Sequence, residues 1–369
     1  MSTLDRPLRG ATVVVCCGSG GVGKTTVAAV IGIELARRDQ RVVVVTIDPA
    51  RRLADALGLA DGLGAEPQRI HLDVPGELWA MMLDTEVMFD RVVRANAADA
   101  EQADRIVQNR FFRNMAGALS GTQEYMASEA LHQLHGDERF DVVVVDTPPS
   151  RHALDFLEAP GVLARFLDHK VFKLLMLPTR SGLRVLNTAA QPILRAIGRV
   201  VGSDVLADAV AFFQAFAGME VGFRDRASSV MSLLISPDTR YVLVAAPRHD
   251  TVDEAVWFAD QLRARGIGVS AAVVNRTHPR FGSGTAAEAA EQAAAEKDPA
   301  TAALWTNLAE LRTIAERERE AVAPLDDRLD GAALVEVPLL AGDVHDLDGL
   351  VEIGTHLFKR RSVPAAGRR

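Results

Sequence analysis

A doubly wound α/β fold, with a mostly parallel sheet and a helical subdomain inserted into it, is predicted by three features of the sequence. Short Val-rich runs recur along the chain, helical periodicity lies between them, and two longer intervals carry helical periodicity with no strand pattern. The runs are Thr12 to Cys17, Arg41 to Ile47, Asp141 to Val145, Tyr241 to Ala246, Val269 to Val274 and Ala333 to Val337. Continuous apolar runs of this length suit parallel strands covered on both faces. Thr25 to Arg38 and Val252 to Arg265 carry helical patterns, and strands alternating with helices imply right-handed crossovers.

The intervals that interrupt this alternation, about 85–135 and 161–236, read as helical insertions in a single domain over 1–358, followed by a disordered basic tail, 359–369. The second interval holds Val171, Phe172, Leu174, Leu175 and Met176, then Val205, Leu206, Val210, Phe212, Phe213, Phe216 and Met219, at amphipathic spacing. These residues are either ordinary core or a groove for an apolar client. The Ala/Glu-rich stretch Ala286 to Ala295 is a surface helix or a mobile segment.

Composition narrows the function classes. With 48% hydrophobic and 24% charged residues, the chain is expected to bury a substantial core. A formal charge of -8 gives no general attraction to a phosphate backbone, so no nucleic-acid partner is expected. The two cysteines, Cys16 and Cys17, are adjacent at the end of a Val-rich run, which suits buried strand residues rather than metal ligands or a disulfide. His71, His249, His278 and His345 show no metal-ligand spacing, and His152 is as readily a surface residue as a phosphate sensor. The first twenty residues lack a basic start followed by a long apolar stretch and a cleavage site, and no window reaches eighteen apolar residues, so a cytoplasmic protein is expected, peripheral to a membrane at most through a partner.

Gly18 to Thr25 fits G-x-x-x-x-G-K-[ST], directly after the first strand and directly before the first helix. Glycines permit the backbone angles that turn N–H groups around phosphate oxygens, and the helix N-terminus adds partial positive charge. Gly20, Gly21, Val22, Gly23, Lys24, Thr25 and Thr26 are therefore the predicted nucleotide-binding residues, with Lys24 reaching the β- and γ-phosphates and the Thr25 hydroxyl on Mg²⁺. Asp146, at the carboxyl end of a second strand, is the predicted magnesium-associated carboxylate, a turn cap being its alternative. Asp48, at the end of a third, is placed either to orient the attacking water or to cap a helix.

These residues resemble the deviant P-loop family of ArsA-type anion-pump ATPases and the related ATPases that target tail-anchored membrane proteins, P-loop NTPases of the SIMIBI type. Gly20-Gly21-Val22-Gly23-Lys24-Thr25-Thr26 is similar to the family's KGGVGKTT loop, Asp48-Pro49-Ala50 to its switch I, and Asp146-Thr147-Pro148-Pro149-Ser150-Arg151-His152 to its switch II. Val273-Val274-Asn275-Arg276 resembles the strand whose Asn reads adenine, and Val337-Pro338-Leu339 the loop that closes over the base. The resemblance implies an ATPase using ATP and Mg²⁺, with Asp48 activating water alongside Lys24, and Asn275 and Pro338 at adenine. It also implies a nucleotide-gated dimer whose helical subdomains present a composite surface to an anion, hydrophobic or membrane-protein client.

Two positions depart from the pattern. The family's signature Lys, which reaches the partner's phosphates, is replaced by Ser19, and Pro247-Arg248 stands where the family often has Pro-Glu. A heterodimer with a Lys-bearing paralogue is therefore expected in preference to a homodimer, with a weakly hydrolysing or non-hydrolysing subunit as the alternative role. The family's paired metalloid-binding cysteines and its zinc-binding CxxC have no counterpart, which disfavours arsenite and zinc. A partitioning or cell-division positioning ATPase shares the deviant loop but lacks so long a helical insertion.

Overall fold

The computed structural model describes residues 3–48, 51–110, 122–148, 150–168, 203–216, 218–342, 344 and 346–358. The basic tail, Pro49, Ala50, Pro149, Val171 to Met176 and His345 lie outside the described residues, as do the side chains of Ser150, Arg151, His152, Val205, Leu206, Val210 and Phe213.

The chain forms two compact units, one of 1–82, 137–154 and 237–369, the other of 83–136 and 155–236. The first unit contains the sheet. Its strands are β1 (Val13–Gly18), β2 (Arg41–Thr46), β3 (Gln68–Ile70), β4 (Glu77–Met82), β5 (Val142–Asp146), β6 (Thr239–Ala245), β7 (Val269–Thr277) and β8 (Ala333–Pro338). They lie in the order β3-β4-β2-β5-β1-β6-β7-β8, all parallel except β3, which pairs antiparallel with β4. Every residue of β1 and β5 is buried, so these strands carry no solvent face and no polar alternation.

Two strands escape the sequence pattern for physical reasons. β4 reads Glu-Leu-Trp-Ala-Met-Met, with Leu78 and Ala80 fully buried and Glu77 and Trp79 half-buried, so it has no Val-rich run. β3 is a three-residue edge strand that is largely exposed.

Helices cover both faces: α1 (Lys24–Ala36), the short α2 (Arg52–Ala56), and beyond the helical stretches described below α9 (His249–Ala264), α10 (Ala286–Ala295), α11 (Pro299–Asp326) and α12 (Leu347–Leu357). α1 is buried along most of its length and packs on the sheet through Val27, Ala28, Val30, Ile31 and Leu35. Gly32 permits that approach: a Cβ there would stand 2.5 Å from Val44 Cγ2 and 3.0 Å from Leu78 Cδ1. The Ala/Glu-rich stretch is a helix, α10, opened by a capping box between Thr285 and Glu288. Behind it, Arg312 of α11 is buried and donates to the carbonyls of Phe281, Ser283 and Thr285, holding the loop that follows β7.

The second unit is helical throughout its described elements: α3 (Thr85–Asn96), α4 (Ala100–Val107), α5 (Thr122–His135), most of α6 (Ser150–Asp168), α7 (Ser203–Phe216) and α8 (Glu220–Leu234). Phe212, Phe216 and Met219 are buried, and Phe216 lies 5.7 Å from Phe212 and 4.9 Å from Phe223 between ring centroids. For these residues the core reading is the one observed. Glu129 of α5 is fully buried and takes the guanidinium of Arg226 from α8, joining the unit's two chain stretches by an ion pair.

Gly32→Val is expected to lower the unfolding free energy by about 1–3 kcal/mol, because the close packing of α1 on β2 and β4 leaves no room for two methyl groups. Urea titration of the nucleotide-free chain reads this directly, and an unchanged midpoint would show that α1 shifts without penalty.

Candidate active site

The carboxyl ends of β1, β2 and β5 are brought side by side by register: Cys16 pairs with Asp146, and Asp146 with Thr46. β1 runs into the glycine-rich loop, which ends at α1. Gly18 lies so close to the Val244 carbonyl of β6 that any Cβ would collide with it. Gly23 is the N-cap of α1 at φ 96°, left-handed backbone that favours glycine, and a Cβ there would strike the Asn275 amide. Both glycines are thus required by their surroundings.

α1 starts without a cap. The N-caps of α3, α4, α10, α11 and α12 are Asp84, Asp99, Thr285, Asp298 and Asp346, each accepting a backbone N–H. At α1 no side chain accepts such a bond, and the first turn contains no acid. The orphan N–H groups and the positive end of the helix dipole therefore face the loop unneutralised, which suits an anion.

Lys24 is buried at 8% exposure, with its ammonium donating to the Ser19 carbonyl at 2.8 Å. Burial depresses its pKa, against the pull of Asp146. Asp146 is buried and accepts from Thr25 Oγ1 at 2.7 Å and Thr46 Oγ1 at 3.0 Å, both on Oδ2. Burial pushes its pKa up to about 6, although the two hydroxyls and Lys24 oppose the rise. Asp48 stands at the mouth of the same edge. Its backbone N–H donates to Thr46 Oγ1 at 3.3 Å and its carboxylate lies 3.4 Å from the Arg52 guanidinium.

Lys24, Thr25, Asp48 and Asp146 are therefore gathered at one sheet edge. Gly20 and Gly21 are exposed at the tip of the loop, Val22 is buried beneath it, and Thr26 is half-buried as the third residue of α1. Asn275, at the end of β7, is buried and donates its amide to the Val22 carbonyl at 2.9 Å, so it braces the loop from below. Pro338 closes β8, one strand further out.

Two participants were not singled out from the sequence. Thr46 is the polar residue that follows four successive valines at the end of β2, and that position at the sheet's carboxyl edge was the available signal. Glu254, on α9, accepts the Ser19 hydroxyl. It lies 235 residues from its partner, and nothing local to either residue announces the contact.

With this geometry in view, the family match is decisive: residues 11–292 match the family described as anion-transporting ATPase. The chain belongs to the anion-transporting ATPase family. Among its relatives, ATPase get3 of Aspergillus terreus is 30% identical over 272 residues, covering 72% of this chain and 73% of that protein. An arsenical pump-driving ATPase of Acidiphilium multivorum is 27% identical over 328 residues, 87% of this chain but 44% of that protein. This member of the anion-transporting ATPase family is thus an ATPase. Its β8, α11 and α12 lie beyond the matched residues. Among the described residues, no helix is long and apolar enough to cross a membrane.

The raised pKa of Asp146 has a thermodynamic signature. The folded chain binds this proton more tightly than the unfolded chain, whose group titrates at the ordinary 3.8. Its contribution is therefore full below that value and is lost as pH rises through about 6. Relative to Asp146→Asn, the nucleotide-free wild type is expected to lose about 3 kcal/mol of stability between pH 3.5 and pH 7.5. Urea unfolding of both proteins at the two pH values measures the difference. A constant gap would mean that folding leaves the Asp146 carboxyl at its ordinary pKa.

Proposed function

We propose that this ATPase binds its nucleotide as MgATP with the phosphates over the N-terminus of α1, and that hydrolysis opens and closes a dimer acting on an anion, hydrophobic or membrane-protein client. The observation that carries the nucleotide reading is the convergence of an uncapped helix start, the Lys24 ammonium and the Thr25, Thr46 and Asp146 oxygens at one sheet edge. These three oxygens fit a small hard cation, which takes few protein ligands and keeps several waters. When bound, the ion supplies charge neutralisation to the phosphates.

The chain's own residues supply the rest. Lys24 exchanges the Ser19 carbonyl for phosphate oxygens. Thr46 Oγ1 accepts the Asp48 N–H and donates its own hydrogen bond to Asp146, coupling the end of β2 to the carboxylate. Asp48, held near Arg52, is placed to orient water. Asn275 and Pro338 are the residues offered to adenine, Asn275 through the polar atoms not engaged by Val22. The helical unit is read as a subdomain inserted in a single NTPase domain.

The side-chain commitments at the two departing positions favour a heterodimer with a Lys-bearing paralogue. Ser19 is tied to Glu254 within its own chain, and Arg248 is exposed and paired with Asp250 at 3.0 Å. Neither is extended toward a second nucleotide. The client reading comes from the relatives, one of which is named for driving an arsenical pump. Arsenite itself is disfavoured here, because Cys16 and Cys17 are both buried in β1, with burial raising the Cys16 thiol and pushing Cys17 up to about 12. A soft metalloid needs thiolates.

Steady-state hydrolysis of MgATP by the purified chain, with Asp48→Asn and Lys24→Ala as controls, tests the reading. Turnover that falls at least about a hundredfold in both variants is the expected result for a self-sufficient enzyme. Binding of a fluorescent nucleotide without turnover, restored by the Lys-bearing paralogue, would establish the heterodimer. Failure to bind nucleotide at all would overturn the proposal.

Thiol titration with an aromatic disulfide reagent at pH 8 should label neither cysteine in the native chain and both in urea, since a thiol with a pKa of about 12 is almost wholly protonated there. Rapid native labelling would reopen the metalloid reading.

A further inference from the structure

The β6–α9 connection meets the phosphate loop at two successive residues. The Val244 carbonyl of β6 abuts Gly18, and Glu254 of α9 accepts the hydroxyl of Ser19. α9 is a fixed platform: Val252, Ala255, Phe258, Ala259 and Leu262 are buried along one face, and Thr251 ties the helix start to Ala246, donating to its carbonyl at 2.7 Å. Ser19 is itself buried at 5% exposure, and its carbonyl accepts the Lys24 ammonium. Residue 19 is therefore held at its hydroxyl by the Glu254 side chain of α9 and at its carbonyl by the Lys24 side chain of α1.

A carboxylate beside a site for a polyphosphate repels the ligand, so electrostatics alone would disfavour Glu254 there. What it offers in return is a charge-assisted hydrogen bond, among the stronger ones available to a hydroxyl. Holding Ser19 in place removes part of the ordering entropy that a glycine-rich loop would otherwise lose when phosphate enters. It also keeps the Ser19 carbonyl where Lys24 rests before phosphate draws the ammonium away.

We propose that Glu254 is a positioning residue for the phosphate loop, fixing Ser19 so that the loop is already shaped when the nucleotide arrives. The consequence for nucleotide rests on the reading of the loop and Lys24 as the triphosphate site; the clamp itself does not. Ser19, in this arrangement, serves its own loop, and its side chain is not a reach toward a partner.

Two measurements test this. In the nucleotide-free chain, amide hydrogen exchange across 18–24 should accelerate several-fold in Glu254→Ala and in Ser19→Ala, and stay near wild type in Glu254→Gln, whose carbonyl still accepts the hydroxyl. Affinity for a fluorescent ATP analogue should fall about tenfold in each alanine variant, the usual scale for a hydrogen bond to a charged group. The double alanine variant should be no weaker than Glu254→Ala, Glu254→Gln should recover most of the loss, and KM should rise with little change in kcat. Unchanged exchange in the alanine variants, or additive losses in the double variant, would overturn the clamp. If the wild type fails to bind the analogue, the triphosphate reading falls and the exchange comparison still decides whether Glu254 holds the loop.

Discussion

A carboxylate sealed inside a parallel sheet is unstable unless neighbours supply donors, and the arrangement around Asp146 follows from that requirement. The parallel pairing of β2 with β5 and β5 with β1 sets Thr46 and Cys16 across from it. α1 adds the Thr25 hydroxyl from above. Side chains alternate faces along a strand, so a one-residue slip of β2 would replace the Thr46 hydroxyl with Val45 and leave part of the burial penalty uncompensated. The same register that satisfies Asp146 also delivers Asp48 to the mouth of the edge, two residues beyond Thr46.

The glycine-rich loop is the second place where packing and chemistry meet. Its Gly18 and Gly23 are demanded by close contacts with β6 and with Asn275, and its charges are arranged around residue 19. An uncapped helix N-terminus next to a buried ammonium concentrates positive potential in a small space. The Ser19 carbonyl, on Lys24, and the Glu254 carboxylate, on the Ser19 hydroxyl, hold that space together without an anion. Membership in the anion-transporting ATPase family accords with a loop of this kind, in which Ser19 is turned inward to Glu254, while Arg248 lies exposed and paired with Asp250.

The helical unit follows a different logic. Its interior combines tilted aromatic contacts, as among Phe212, Phe216 and Phe223, with the buried Glu129–Arg226 pair. Such a pair adds little net stability beside a well-packed apolar core, yet breaking it would strand a buried charge. It therefore ties α5 to α8 in one arrangement, joining helices that belong to separate stretches of the sequence.

Much of this was legible in the sequence because it is local. A Val-rich run followed by a full glycine-lysine motif and a helical period needs no distant partner to be read, and neither does an acid at the end of an all-Val strand, so β1, α1, Lys24, Thr25 and Asp146 could be assigned together. β4 and β3 could not, since β3 is a three-residue, largely exposed edge strand and β4, next to it, mixes buried and half-buried residues in place of a Val-rich run. The pairing register, the sharing of Asp146 by Thr25 and Thr46, the bracing of the loop by Asn275 and its grip by Glu254 were decided only by tertiary structure. Those contacts join residues 100 or more positions apart, and only the folded sheet brings them within hydrogen-bonding distance.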